Sequence, residues 1–88
     1  MNPARTTLTL NSSELELINT RIMPLKTHPL RGDRHGVQLD RDTMERLLDA
    51  LSDLLATEGL NEDDTPNAFG LQLERLIDLI ARLYYTDT

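Results

Sequence analysis

The stretch KTHPLRGDRHG, residues 26 to 36, holds both histidines of the chain, together with three basic side chains and an aspartate. His28, Asp33 and His35 are all chemically able to ligate a metal ion. Their spacing matches no helix-borne ligand pair, and the chain has no cysteine to complete a set. Pro29, Gly32 and Gly36 read as turn-formers, so the stretch is expected to be a solvated connector holding no metal. Arg31 and Arg34, with His28 and His35 beside them, are the residues there best suited to meet an anion or a partner's carboxylate. Arg21, Lys26 and Arg41 extend that basic patch.

A second segment, DDTPNAFGLQLE at 63–74, places Asp63, Thr65, Asn67 and Glu74 at calcium-loop positions. Ala68 stands where that loop turns on glycine, Pro66 lies inside it, and Gly70 replaces a branched apolar residue. The calcium reading therefore fails. Nucleophilic catalysis has no footing either, because both histidines sit in one segment and no serine marks a strained elbow. No catalytic residue and no cofactor are expected. Size, acidity and helices invite comparison with acyl carrier proteins, but LDRDTMERL lacks the serine that carries their prosthetic group.

Charge is the other functional signal. The net charge is −6, yet residues 1–44 carry six basic and five acidic groups (+1), and residues 45–88 carry three and ten (−7). Eight of the nine cations are arginine, the cation that pairs fork-wise with carboxylate and phosphate. Glu45, Asp49, Asp53, Asp63 and Asp64 form an acidic surface that can offer a basic partner a phosphate-like array. Direct nucleic-acid binding is disfavoured by the acidity and by an aromatic content limited to Phe69, Tyr84 and Tyr85.

Eighty-eight residues make one domain with a modest core. No apolar run is long enough to span a membrane and the first residues lack a secretory pattern, so the cytoplasm is the expected compartment. The apolar periodicity predicts three helices. The first runs over 11–24, opened by Asn11 with Glu14 three residues on, and ends near Pro24. The second runs over 40–58, capped by Asp40, with Met44, Leu47, Leu48, Leu51, Leu54 and Leu55 on one face. Gly59 is read as its left-handed terminator, with Leu60 folding back onto Leu55. The third runs over 66–85, with Thr65 as cap, Pro66 in the first position, and Phe69, Leu73, Leu76, Ile77, Ile80 and Leu83 facing inward.

The expected fold is all-α: a long antiparallel hairpin of the second and third helices, the first packed across it, and residues 25–39 as connector. TTLTL and GVQL alternate like edge strands and can pair as a minor ribbon of residues 6–10 and 36–39. An internal echo matches Leu8, Leu10, Asn11, Leu15, Glu16, Ile18 and Ile22 to Val37, Leu39, Asp40, Met44, Glu45, Leu47 and Leu51. The functional expectation is a non-catalytic protein–protein interaction or oligomerisation module. Leu71, Tyr84 and Tyr85, beside or off the main stripes, are the expected self-association residues of a homo-oligomer, a dimer first. An acidic inhibitor of phage type, binding a basic nucleic-acid-handling protein, is the first alternative. The second is an anion- or nucleotide-binding accessory protein acting through the arginine-rich segment.

Overall fold

The computed structural model describes residues 6–86, with side chains placed for 7–85. The chain runs β1 (Thr6–Asn11), α1 (Ser12–Arg21), β2 (Thr27–Pro29), β3 (Arg34–Leu39), α2 (Arg41–Glu58) and α3 (Ala68–Thr86). The all-α expectation is therefore corrected: three helices pack with a three-stranded antiparallel sheet, in the order β1-β3-β2. The expected ribbon is present, since Leu8 pairs with Val37 and Thr7 with Gln38. With β2 it forms a sheet whose inner face is part of the core, and it is not an ornament on a helical bundle.

The connector expected at 25–39 is instead a β-hairpin. His28 lies opposite Gly36 and Pro29 opposite His35. The chain reverses through Leu30–Asp33, with the Leu30 N–H donating to the Arg34 carbonyl at 2.9 Å. Gly32 takes φ +64° at that reversal, a region that costs an L-residue about 1–2 kcal/mol. Its neighbours Pro29 and Asp33, which look like loop chemistry, are hairpin chemistry.

Alternation along β1 and β3 explains the burial. Leu8, Leu10, Val37 and Leu39 point to one face and are buried, whereas Thr7, Thr9 and Gln38 point to the other and are exposed. The buried sheet face meets Leu15, Leu17 and Ile18 of α1, Met44, Leu47 and Leu51 of α2, and Leu73, Leu76 and Ile80 of α3 in one core.

Both strand-to-helix junctions use the same device. Asn11 Oδ1 accepts the Glu14 N–H at 2.8 Å, and Glu14 Oε1 accepts the Asn11 N–H at 3.0 Å, a reciprocal capping box. Asp40 Oδ1 accepts the Thr43 N–H at 2.7 Å. The helix α1 is shorter than expected, ending at Arg21, with the Ile22 and Met23 amides both bonding the Ile18 carbonyl before Pro24.

The α2–α3 turn departs from expectation at two points. Gly59 has φ −94°, not a left-handed angle, and its N–H bonds the Leu55 carbonyl. The left-handed residue is Asp64, at φ 67°. Gly59 serves close approach: a Cβ built on Gly70 would overlap the Gly59 carbonyl oxygen, so the end of α2 and the start of α3 touch backbone to backbone. The cap of α3 is Asn67, whose Oδ1 accepts the Gly70 N–H at 2.7 Å, and not Thr65. Thr65 and Pro66 are held outside the helix because the Asn61 N–H bonds the Thr65 carbonyl and Leu60 bridges Pro66. The Asn67 amide then reaches the Gly59 carbonyl at 2.9 Å, and helical geometry begins only beyond it.

Candidate functional sites

The hairpin tip and the start of α1 meet in a polar cluster that residue spacing alone does not reveal. The Ser12 hydroxyl lies between the Asp33 carboxylate and His35 Nε2, the latter at 3.1 Å. The Ser12 N–H also points to Asp33 Oδ2, at 3.4 Å. These three residue types are those of a nucleophilic triad, but their order is different. In a triad the imidazole sits between serine and carboxylate and accepts the hydroxyl proton. Here the hydroxyl donates its one proton to Asp33, which leaves His35 Nε2 as a donor to the Ser12 oxygen. The serine hydrogen bond holds the Asp33 carboxyl below its ordinary value of 3.8, with its amide bond and the His35 ring adding to the effect. Asp33 thereby clasps the β2–β3 hairpin to the first turn of α1, where a carboxylate is also favoured by the helix dipole. The signal available in sequence was weak, because Ser12 and Asp33 are joined only by the sheet register.

The residues that read as a metal set part company. His28 sits over Gly36, where a glycine Cβ would fall on its imidazole, and Gly36 faces away from His35 across the pleat. Among the described residues no group of three or more histidine, cysteine, aspartate or glutamate side chains converges. The arginine patch also disperses. Arg21 pairs with Glu58 at 2.5 Å and lies 5.9 Å from the Phe69 ring centre. Arg41 stacks on Tyr84 at 4.3 Å. Arg31 and Arg34 flank the hairpin tip, and Arg34 turns toward a groove of about 380 Å³ shared with Asn11, Glu14 and Arg75.

The acidic residues fall into two places. Glu45, Asp49 and Asp53, spaced by fours, run along the exposed face of α2. Asp63 and Asp64 lie in the α2–α3 turn, where the Asp63 carboxylate takes the Thr65 hydroxyl at 2.6 Å and its N–H at 3.2 Å. The hydroxyl bond first and the amide bond second keep Asp63 ionised below its usual range. Asp63 is thus occupied in shaping the turn.

The α2 stripe ends in a groove of about 400 Å³ lined by Glu45, Leu48, Asp49, Tyr84 and Tyr85. Tyr84 and Tyr85 meet edge to face, with ring centres 5.1 Å apart. The Tyr84 hydroxyl donates to Glu45, which raises its pKa above 10.0. Tyr85 is 72% exposed. Two aromatic rings bordered by two carboxylates make a place for a cation, since a guanidinium can stack on the ring while pairing with the acid. Arg41 already makes the stacking half of such a contact on Tyr84.

Leu71, the remaining self-association candidate, stands apart from Tyr84 and Tyr85. It is 59% exposed and lies near the opposite end of α3, with Arg75, Asp78 and Arg82 on the intervening surface. No protein-family model, curated protein or solved structure matches this chain. No helix of the described residues is long and apolar enough to cross a membrane.

Proposed function

We propose that the protein is a small, non-catalytic protein–protein interaction module that docks a basic partner on α2 and the neighbouring end of α3. The observation that carries this reading is the Tyr84–Tyr85 pair set against Glu45 and Asp49 at the head of the acidic stripe. Carboxylates alone attract any cation, and such a field speeds encounter without telling arginine from lysine. An exposed tyrosine beside them adds a surface on which arginine packs better than lysine. The partner is therefore a protein presenting arginines, in the cytoplasm, and a nucleic-acid-handling protein is one class that does so.

The test uses a defined probe. Calorimetric titration with an oligoarginine peptide is expected to show binding that weakens steeply with salt, and an oligolysine of equal length is expected to bind less tightly. Reversal of Asp49 and Asp53 to lysine is expected to abolish the binding with helicity intact, and Tyr85→Ala to narrow the gap between the two peptides. Equal binding by the double reversal would defeat the proposal. Asp63 is left in place because it holds the turn.

A further inference from the structure

The two edges of the sheet are built differently. The β2 edge is three residues long and carries Pro29, which has no N–H to offer a further strand. The β1 edge is six residues long, with no charge, no proline and no bulge in TTLTLN. Among the described residues no strand covers it.

Which of its groups face outward follows from the ladder. The Arg34 carbonyl accepts from Leu30, on the β2 side of β3. Residues of an antiparallel strand alternate in the side to which they bond, so His35 and Val37 bond toward β1, through Leu10 and Leu8. Asn11, opposite Arg34, must then turn its N–H outward, and it does: that N–H goes to Glu14. Thr9 and Thr7, two and four residues before it, share its orientation. Their N–H and C=O groups form the free edge.

Beside that edge lies the groove of Thr9, Leu10, Asn11, Glu14, Arg34, Arg75 and Leu79. Thr9, Leu10 and Asn11 alternate between the faces of the sheet, so a groove touching all three reaches the backbone edge of β1 where the strand runs into α1. The opposite wall is α3, with half-buried Leu79 and the Arg75 guanidinium. Glu14 is 5% exposed and engaged at both oxygens, by Asn11 and by Arg75 at 3.8 Å. Arg75 is 72% exposed along its side chain, and Arg34 has no ion-pair partner among the described residues. The wall of the groove is thus left with a net positive charge.

We infer that this groove takes an extended, carboxylate-bearing peptide, which adds to β1 as an antiparallel strand between the sheet and α3. Main-chain bonds to Thr7 and Thr9 supply the attachment, and Arg34 and Arg75 select acidic side chains. A second copy of the chain is disfavoured as the occupant, because its β1 strand carries no carboxylate to meet the arginines. The surface is separate from the acidic α2 face, so the two proposals fail independently.

The full chain, labelled for amide NMR, is titrated with a short peptide of alternating valine and glutamate and with its lysine counterpart. The glutamate peptide is expected to shift the Thr7 and Thr9 amides and, at saturation, to slow their hydrogen exchange roughly tenfold or more. The lysine peptide should bind at least about tenfold more weakly. Thr9→Pro removes an outward N–H and spares the β1–β3 ladder, so binding should be lost. Should that variant fail to fold, Arg34→Glu, exposed and outside the core, is expected to lose the glutamate peptide and gain the lysine one. Equal binding of the two peptides, shifts confined to other residues, or no shift at about 1 mM peptide would overturn the inference. So would Thr7 and Thr9 amides already protected in a free protein whose size grows with concentration, which would give the edge to a second copy.

Discussion

At the scale of single residues, the molecule spends its polar side chains on holding segments together. Asp33 and Asp63 both have lowered folded pKa values, for the same reason: each accepts a hydroxyl and a backbone N–H from one neighbour. A carboxylate whose folded pKa is depressed contributes stability that is complete above its unfolded value, here 3.8, and fades as pH falls through the lower folded value. Thermal melting followed downward from neutral pH is therefore expected to show an acid limb carried by both groups. Asp33→Asn should lower the melting temperature at neutral pH and flatten its share of that limb; an unchanged limb would show that the clasp to Ser12 does not form. Tyr84 runs the other way. Its pKa is raised, chiefly by the bond to Glu45, so its contribution is full below 10.0 and is lost as pH climbs through the higher folded value. Tyr84→Phe should remove the alkaline limb and leave the acid one. Ser12 shows why such clusters hide in a sequence. It stands at the first position of α1, an ordinary place for serine, and only the pairing of Asn11 with Arg34 brings Asp33 to it.

At the scale of elements, glycine reports two different requirements, and Gly70 separates them. A glycine inside a helix ordinarily costs about 0.5–1 kcal/mol relative to alanine, so Gly70→Ala would stabilise an unencumbered helix. Here the added methyl meets the Gly59 carbonyl, and forcing packed backbone apart costs about 1–3 kcal/mol. The clash is the larger quantity, so chemical denaturation should show Gly70→Ala destabilised. A gain in stability would mean that the helices do not approach through these glycines. The stripe from Met44 to Leu55 is strong enough that α2 is found to within a residue, and Asn11 and Asp40 cap as their positions suggest. The end of α2 misleads because Gly59 fits a left-handed terminator equally well, while its real constraint is Gly70, far along the chain. Residues 27–39 mislead for a related reason. Three residues of β2 are too few to show alternation, and Pro29 and Gly32 mark a hairpin and a loose connector alike. The echo between Leu8–Leu10–Asn11 and Val37–Leu39–Asp40 carried the missing information, for both copies are strand, cap and helix, and the two strands pair at Leu8 and Val37. Since residues 28–35 hold β2, its turn and the start of β3, replacing them with glycine and serine is expected to unpair β2 and release the Asp33 clasp, lowering the melting temperature, while Val37 and Leu39 keep β3 in the core.

At the scale of the whole molecule, the charge of −7 on residues 45–88 is laid out in a way that costs stability. Glu45, Asp49 and Asp53 stand four residues apart on α2, where like charges repel by about 0.2–0.5 kcal/mol per pair. Of the basic side chains near them on α2, Arg41 lies over the Tyr84 ring at 4.3 Å and Arg46 pairs with Asp42 at 3.3 Å. A stripe kept only for solubility would gain by interspersing signs, whereas a stripe kept for a basic partner must stay of one sign. Asp53→Lys distinguishes the two. It turns the repulsive pair with Asp49 into an attractive one, with the acid on the N-terminal side where the pairing is favoured, and it touches no core residue. The melting temperature at low salt should rise slightly, and the increase that added salt produces in the natural protein should shrink as less repulsion is left to screen. Affinity for oligoarginine should fall in the same variant. Stability and recognition moving in opposite directions on one substitution would mark the face as a docking surface. A variant that melts higher and binds oligoarginine as before would mark it as an ordinary solvated helix.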